Sequence, residues 1–243
     1  WAGHLATDTF SAGEQTRLDI AFDYARAGFY EEARRLLVAA NAPMLLYVRA
    51  FCEAGLGQSA KESFAAAAQA PPDYCFPSRL EEMLVLEFAI AENPRDARAH
   101  YYLGNLLYDR RRHREAIGHW EQSAALDPAF SVVWRNLGIG YFNILSDAER
   151  ALNAFENARA ADPGDARLLY EQDQLAKRTG VLPQARLARL EQDAWLVNER
   201  DDLSVEMASL YNQTNHPERA LEILLSRQFQ PWEGGEGLTI AQH

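Results

Sequence analysis

Apolar residues recur along this chain at the spacing of one helix face. Trp134, Leu137 and Tyr141 stand three and four residues apart, so their side chains line up on a single side of a helix. Arg79–Glu92 reads as one helix with Leu80, Met83, Leu84 and Leu86 on its apolar side. Ser78 followed by Glu81 has the spacing of a capping box at its start. Leu168-Leu169 open a further helix, and Pro183 and Pro217 sit just inside two more, where proline's missing N–H removes no helical hydrogen bond. Pro128 and Pro163 each follow an aspartate and mark turns between helices. Pro71-Pro72-Asp73 and Phe76-Pro77-Ser78 interrupt the pattern, and Gln230–Gly237 is a turn-rich segment that ends the last helix.

The helices repeat as pairs. From Ala97 the chain reads Leu103-Gly104, Leu107, Ala116, Trp120 and Pro128; from Ser131 it reads Trp134, Leu137-Gly138, Tyr141, Ala151, Phe155, Ala158 and Pro163. The two align with one extra residue in the second, near Ser146-Asp147. Residues 97–163 thus resemble two tandem tetratricopeptide repeats, whose signature is W-x2-L-G-x2-Y, then A-x3-F, then P over about 34 residues. The small residues have a physical role: Gly104 and Gly138 on the first helix, and Ala116 and Ala151 on the second, let two helices cross closely. Weaker copies flank this pair. Tyr24, Ala33 and Leu37 mark one over Glu14–Asn41, and Phe51, Ala60 and Phe64 mark another over Asn41–Pro72. Ala185 stands at the second-helix alanine of a unit after Pro163, and Tyr211, Ala220 and Leu224 mark the last.

The resemblance implies an all-α fold, a right-handed superhelix of about six helical pairs, with no enzymatic activity. Residues 1–94 would hold degenerate repeats and an irregular junction helix, 95–164 the two clear repeats, and 165–243 further degenerate repeats and the Gly-rich tail, together one continuous solenoid. A second likeness rests on Tyr101–Arg110 and on Pro231–Gly237. These are similar to segments of large bacterial proteins in which such repeats follow an uncharacterised domain resembling galactose-mutarotase β-sandwiches. The start at Trp1, and the six residues after Gly237, suggest a piece of a longer chain.

Composition narrows the function classes. The formal net charge is −11, the reverse of the basic stripe a nucleic-acid binder uses to displace counterions. The densest basic run, Arg110–Arg114, falls where a helix should end and its cations answer the negative end of the helix dipole. Cys52 and Cys75, the two cysteines, form no Cys-x-x-Cys and lie in apolar surroundings, which points to a reduced, cytoplasmic chain. No apolar stretch approaches the roughly 20 residues that span a bilayer. None of the histidines makes a metal-ligand spacing, His113 and His119 fall on different sides of a helix, and the adjacent acids are surface pairs rather than opposed carboxylates. No nucleophile elbow or phosphate loop is present, so no catalytic, cofactor or metal residue is expected.

First helices line the concave groove of such solenoids. In the two clear repeats that places Tyr101, Asn105, Tyr108, Asp109, Arg135, Asn136, Ile139 and Asn143 there, with Arg49, Glu53, Asp173, Lys177 and Asn212 at comparable flanking positions. Amide and guanidinium groups can hydrogen-bond a peptide backbone or a carboxylate, and tyrosine adds rigid contact area; the plainer alternative is a solvated polar surface. One subtype of the family clamps the C-terminal carboxylate of heat-shock chaperones. Asn105 and Asn136 match two of its positions, but Tyr101, Ala166 and Tyr170 stand where the clamp has basic residues, which argues against that partner. The expected function is a scaffold that holds a protein or peptide, with no nucleic acid or membrane partner. The alternative is an accessory helical region that packs in cis on a mutarotase-like β-sandwich of a larger carbohydrate-related protein.

Overall fold

Each helical hairpin among the described residues turns on a residue in the left-handed backbone region. In chain order these are Gly28, Gly57, Arg111, Ser146, Gly180 and Asn215, with φ between 55° and 82°. Glycine adopts that conformation without steric cost; arginine and serine do not, and the hairpin must hold them there. The helices they join are, in the computed structural model, α1 (Glu14–Arg26) with α2 (Tyr30–Leu36), α3 (Pro43–Gly55) with α4 (Lys61–Gln69), and α6 (Ala97–Asp109) with α7 (His113–Leu126). The same holds for α8 (Ser131–Leu145) with α9 (Ala148–Ala161), α10 (Ala166–Arg178) with α11 (Pro183–Gln192), and α13 (Asp201–Gln213) with α14 (Pro217–Leu225). Two helices stand outside the pairs: α5 (Leu80–Glu92) and the four-residue α12 (Ala194–Val197). The structure describes residues 13–38 and 41–229, and no strand occurs among them. The expectations for Gln230–Gly237 lie outside the described residues.

Helix starts follow the local sequence. Asp96, Asp147 and Asp165 accept hydrogen bonds from the N–H groups of Ala99, Arg150 and Arg167, satisfying donors that a helix cannot satisfy itself. Pro43, Pro183 and Pro217 open α3, α11 and α14. At α5 the box lies one residue later than Ser78 and Glu81 suggest. The Glu82 carboxylate takes the N–H groups of Ser78 and Arg79 at 2.6 and 2.8 Å and is itself buried. The inward face of α5 also differs, carrying Glu82, Val85, Leu86 and Ala89, while Leu80 and Leu84 are exposed. This helix is apolar on nearly every side, so its periodicity could not select the buried stripe.

The chain divides into two compact units, at Pro128 and Ala129. In the N-terminal unit α3 packs on α4 and α5, and α6 packs on α4, α5 and α7. Its centre holds Tyr47 and Tyr102, both fully buried, edge to face at 6.2 Å. The Tyr47 hydroxyl donates to Asp96 at 2.9 Å, tying α3 to the cap of α6. The Trp120 indole of α7 lies against Gly104 of α6, where a Cβ would come within 2.5 Å of the ring.

In the C-terminal unit Phe155 of α9 covers Gly138 of α8 in the same way, at 2.7 Å from a hypothetical Cβ. Trp134, on the same apolar helix face as buried Leu137 and Tyr141, is only half-buried. It lines a shallow hollow of about 240 Å³ with Tyr141, Arg150 and Asn153, where Arg150 lies 3.9 Å over the Tyr141 ring. Leu190, Leu196, Leu203 and Leu210 form the interior farther on. Ala185 is exposed and does not fill the alanine position of α11. Its neighbour Arg186 points inward instead, one residue out of the expected register, because buried Asp173 of α10 gives its guanidinium a partner.

Candidate functional site

First-helix positions of the N-terminal unit are mostly used within the α6–α7 hairpin. Tyr101 is buried beside Tyr102, with ring centres 5.2 Å apart. The Asn105 carbonyl accepts the Trp120 indole N–H at 3.0 Å, and the Tyr108 ring lies 4.6 Å from His113 and 5.1 Å from Trp120. Asp109 is the exposed member of that group of four. In the preceding hairpin, Arg49 spends its guanidinium on Glu53, one turn along α3.

The C-terminal unit presents a different surface. Arg135 of α8 makes two bonds of 2.6 Å to Glu171 of α10, and Arg167 reaches the same carboxylate at 3.0 Å. Asn136 is half-buried, and Asp173, Lys177 and Asn212 are likewise tied or partly covered. Beyond the Arg135–Glu171 bridge opens a cavity of about 360 Å³. Its floor is apolar: Ile139 and Phe142 from α8, Phe155 from α9, Tyr170 and Leu175 from α10. Its polar rim is Asn143, Glu171, Gln174 and Arg178. Neither the Asn143 nor the Arg178 side chain has a hydrogen bond or ion pair among the described residues, and the Gln174 side-chain nitrogen is buried with no partner. A buried amide N–H without an acceptor is uncommon in folded proteins and marks unused binding capacity.

Of the residues proposed from sequence, the cavity gathers Ile139 and Asn143, with Arg135 one layer behind through Glu171. Phe142, Gln174 and Arg178 were not among them. The signal existed: thirty-five positions after Ile139 and Asn143 stand Gln174 and Arg178, the equivalent first-helix places of the next hairpin.

A second arrangement, in the N-terminal unit, joins residues far apart in sequence. His100 of α6 and His119 of α7 bring their Nδ1 atoms to 3.0 Å. One ring must donate and the other accept, so the bond exists only while at least one ring is neutral. Burial lowers the pKa of both rings; the Pro94 backbone and Asp96 oppose the shift at His100, while at His119 the neighbouring His100 and Arg112 add to it and Glu115 opposes it. A folded-state pKa below that of the unfolded chain means that protonation favours unfolding. Stability is therefore expected to be full above the ordinary histidine range and to fall as pH drops through about 6.5. Urea midpoints at pH 7.5 and pH 5 should differ more for the natural chain than for His119→Gln; equal differences would remove the pair as the cause.

Burial pushes the thiols of Cys52 and Cys75 up to about 12, so neither is a nucleophile near neutrality. No group of three or more His, Cys, Asp or Glu among the described residues could hold a metal ion. No helix among them is long and apolar enough to cross a membrane.

Paired antiparallel helices, a close crossing at glycine and a shared turn define a stack of tetratricopeptide-type hairpins. The family model of the tetratricopeptide repeat matches residues 97–130, which are α6, α7 and the turn that follows. Among solved structures the chain is similar to pilF of Pseudomonas aeruginosa, with 16% identity and a TM-score of 0.53, over 94% of this chain and 97% of that one. It is similar to YrrB, described as a TPR protein with an unusual peptide-binding site, with 15% identity and a TM-score of 0.54, over 92% and 100% of the two chains. It is also similar to MamA, with 14% identity and a TM-score of 0.50, over 75% and 88%. At these identities the likeness is one of fold. The chain carries the tetratricopeptide-repeat fold.

Proposed function

We propose that this protein is a non-enzymatic interaction scaffold whose C-terminal unit holds an extended peptide, or a strand-like segment of a partner domain, between the first helices α8 and α10. The observation that supports it is the 360 Å³ cavity, with an apolar floor and three polar side chains whose hydrogen-bonding capacity is unspent. A volume near the low end of the ~300–1,000 Å³ of small-ligand sites suits one or two side chains of a longer segment. Stacked hairpins give such a site a rigid wall, so little conformational entropy is lost on binding. The peptide-binding site of YrrB, a protein of the same fold, is in keeping with this use. Arg135 acts as a positioning residue through Glu171, Asn136 is its half-buried neighbour on α8, and Asn143 contributes to the rim. Asp109 is offered as a secondary contact of the N-terminal unit; Tyr101, Asn105 and Tyr108 support the helix that carries it.

The test is selection of random peptides on the full chain, followed by affinity measurements on Ile139→Arg. A charge placed over the apolar floor should weaken the selected peptides by about 2 kcal/mol, some thirtyfold, with helicity by circular dichroism unchanged. Peptides that bind Ile139→Arg as well as the natural chain would place the site elsewhere.

A further inference from the structure

We infer that the segment held in this cavity is acidic: an extended stretch with an aliphatic or aromatic residue on the cavity floor and an Asp or Glu about two residues away, paired with Arg178. The inference rests on the reading of the cavity as a peptide site and adds the chemistry of its occupant.

Both Gln174 Nε2 and the Arg178 guanidinium, the groups left unmet on α10, are donors. The acidic group on the rim, Glu171, has both oxygens taken by Arg135 and one of them also by Arg167. A lysine or arginine from a ligand would therefore meet no vacant carboxylate, while an acceptor would meet two vacant donors. The local charge points the same way. Arg135 and Arg167 both bond the one glutamate of the rim, and Arg178 lines the same cavity, in a chain whose formal net charge is −11. The partner's negative charge must also be modest, because a long acidic run would be repelled by the rest of the molecule.

Geometry favours a side-chain carboxylate within a running segment over a chain end. Gln174 and Arg178 lie four residues apart on one helix, a rise of about 6 Å, and their side chains follow one another along the α10 axis. An extended peptide advances about 3.3 Å per residue, so two acceptors about two residues apart match that rise. A backbone carbonyl meets Gln174, and a carboxylate meets Arg178. The apolar side chain of the same segment drops between Ile139, Phe142 and Leu175.

The experiment uses the full chain and a positional-scanning library of hexapeptides, acetylated and amidated so that they carry no terminal charge. Each member has Leu or Phe fixed and Asp, Asn or Lys two positions to either side; a matched set with Asn and a free C-terminal acid is measured in parallel. Fluorescence polarisation should give the Asp members an advantage of about tenfold over Asn, the size of one charge-assisted hydrogen bond. That advantage should disappear in Arg178→Gln, while Gln174→Leu should weaken Asp and Asn members alike. Arg178 is exposed, so its substitution leaves the fold intact. Equal binding of Asp and Asn members, or a preference for Lys, overturns the acidic assignment. Tighter binding of the free-acid set than of the capped Asp set overturns it in favour of a chain end. If those peptides still lose affinity in Ile139→Arg, the cavity stands as a peptide site and only its chemistry was misjudged. If no peptide responds to Ile139→Arg, both readings fall.

Discussion

Asp173→Ala is expected to destabilise the C-terminal unit by about 3–5 kcal/mol, the usual loss when one partner of a buried ion pair is removed. The Asp173 and Arg186 side chains are almost wholly buried and joined by bonds of 3.0 and 2.6 Å. Arg186 also reaches Glu206 at 2.5 Å, and Glu206 in turn takes Lys177. Burial alone would raise the Glu206 pKa, but the bonds from Lys177 and Arg186 outweigh it and hold the carboxyl below its ordinary value. Glu206 is thus charged at neutrality. Deleting Asp173 leaves a guanidinium inside the protein with one carboxylate where it had two, at a site water cannot easily repair. The double substitution Asp173→Leu with Arg186→Met should recover much of the loss, since packed apolar side chains often replace a buried pair without penalty. Urea denaturation followed by circular dichroism reads both. A loss under 1 kcal/mol for Asp173→Ala would show that the cluster contributes little.

Trp120→Ala should cost the N-terminal unit about 3–5 kcal/mol, the range for truncating a large buried aromatic. The indole is buried, fills the space over Gly104, gives its N–H to Asn105 and packs against Tyr108. Removing it opens a cavity and leaves the Asn105 carbonyl without that donor. A companion substitution isolates the role of the glycine. In the natural chain Gly104→Ala drives a methyl to 2.5 Å from the indole and should be destabilising by roughly 1–3 kcal/mol. In the Trp120→Ala background the indole clash is gone and the Ala116 backbone oxygen, at 3.2 Å, is the close contact that remains, so the better helix propensity of alanine, about 1 kcal/mol, should offset most of the cost. The double-mutant cycle therefore predicts a much smaller cost of Gly104→Ala once the indole is removed. An effect of Gly104→Ala that is the same in both backgrounds would mean that the close helix crossing does not depend on this contact.

The hairpins built on small residues were readable from the sequence. Gly104 with Trp120 and Gly138 with Phe155 are pairs in which a missing side chain on one helix is matched by an aromatic on the next, and both follow the repeat pattern. Ala33, Ala116, Ala151 and Ala220 are buried at the same place in their hairpins. The pattern failed where a polar residue took an apolar position. Arg186 occupies an inward place no hydrophobicity rule would assign to it, and the register of α11 slipped by one residue as a result. Glu82 hid the true start of α5 similarly. The cavity was half legible. Ile139 and Asn143 came from counting along α8, but Gln174 and Arg178 needed the same count carried one hairpin farther. The unspent hydrogen-bonding capacity that distinguishes them is a property of three-dimensional neighbours. His100 and His119 show the same limit: nineteen residues separate them, and only the α6–α7 crossing makes them a pair.

The left-handed joints bear on why so little of this architecture is written in residue identity. The family model matches the hairpin over 97–130, yet among the described residues the backbone makes the same reversal six times, with glycine at three joints and Arg, Ser and Asn at the others. What is repeated is a change of chain direction, and many side chains tolerate it when the flanking helices supply the energy. Such a chain can drift far in sequence while its hairpins go on stacking, which leaves the faces between the joints free to acquire new partners.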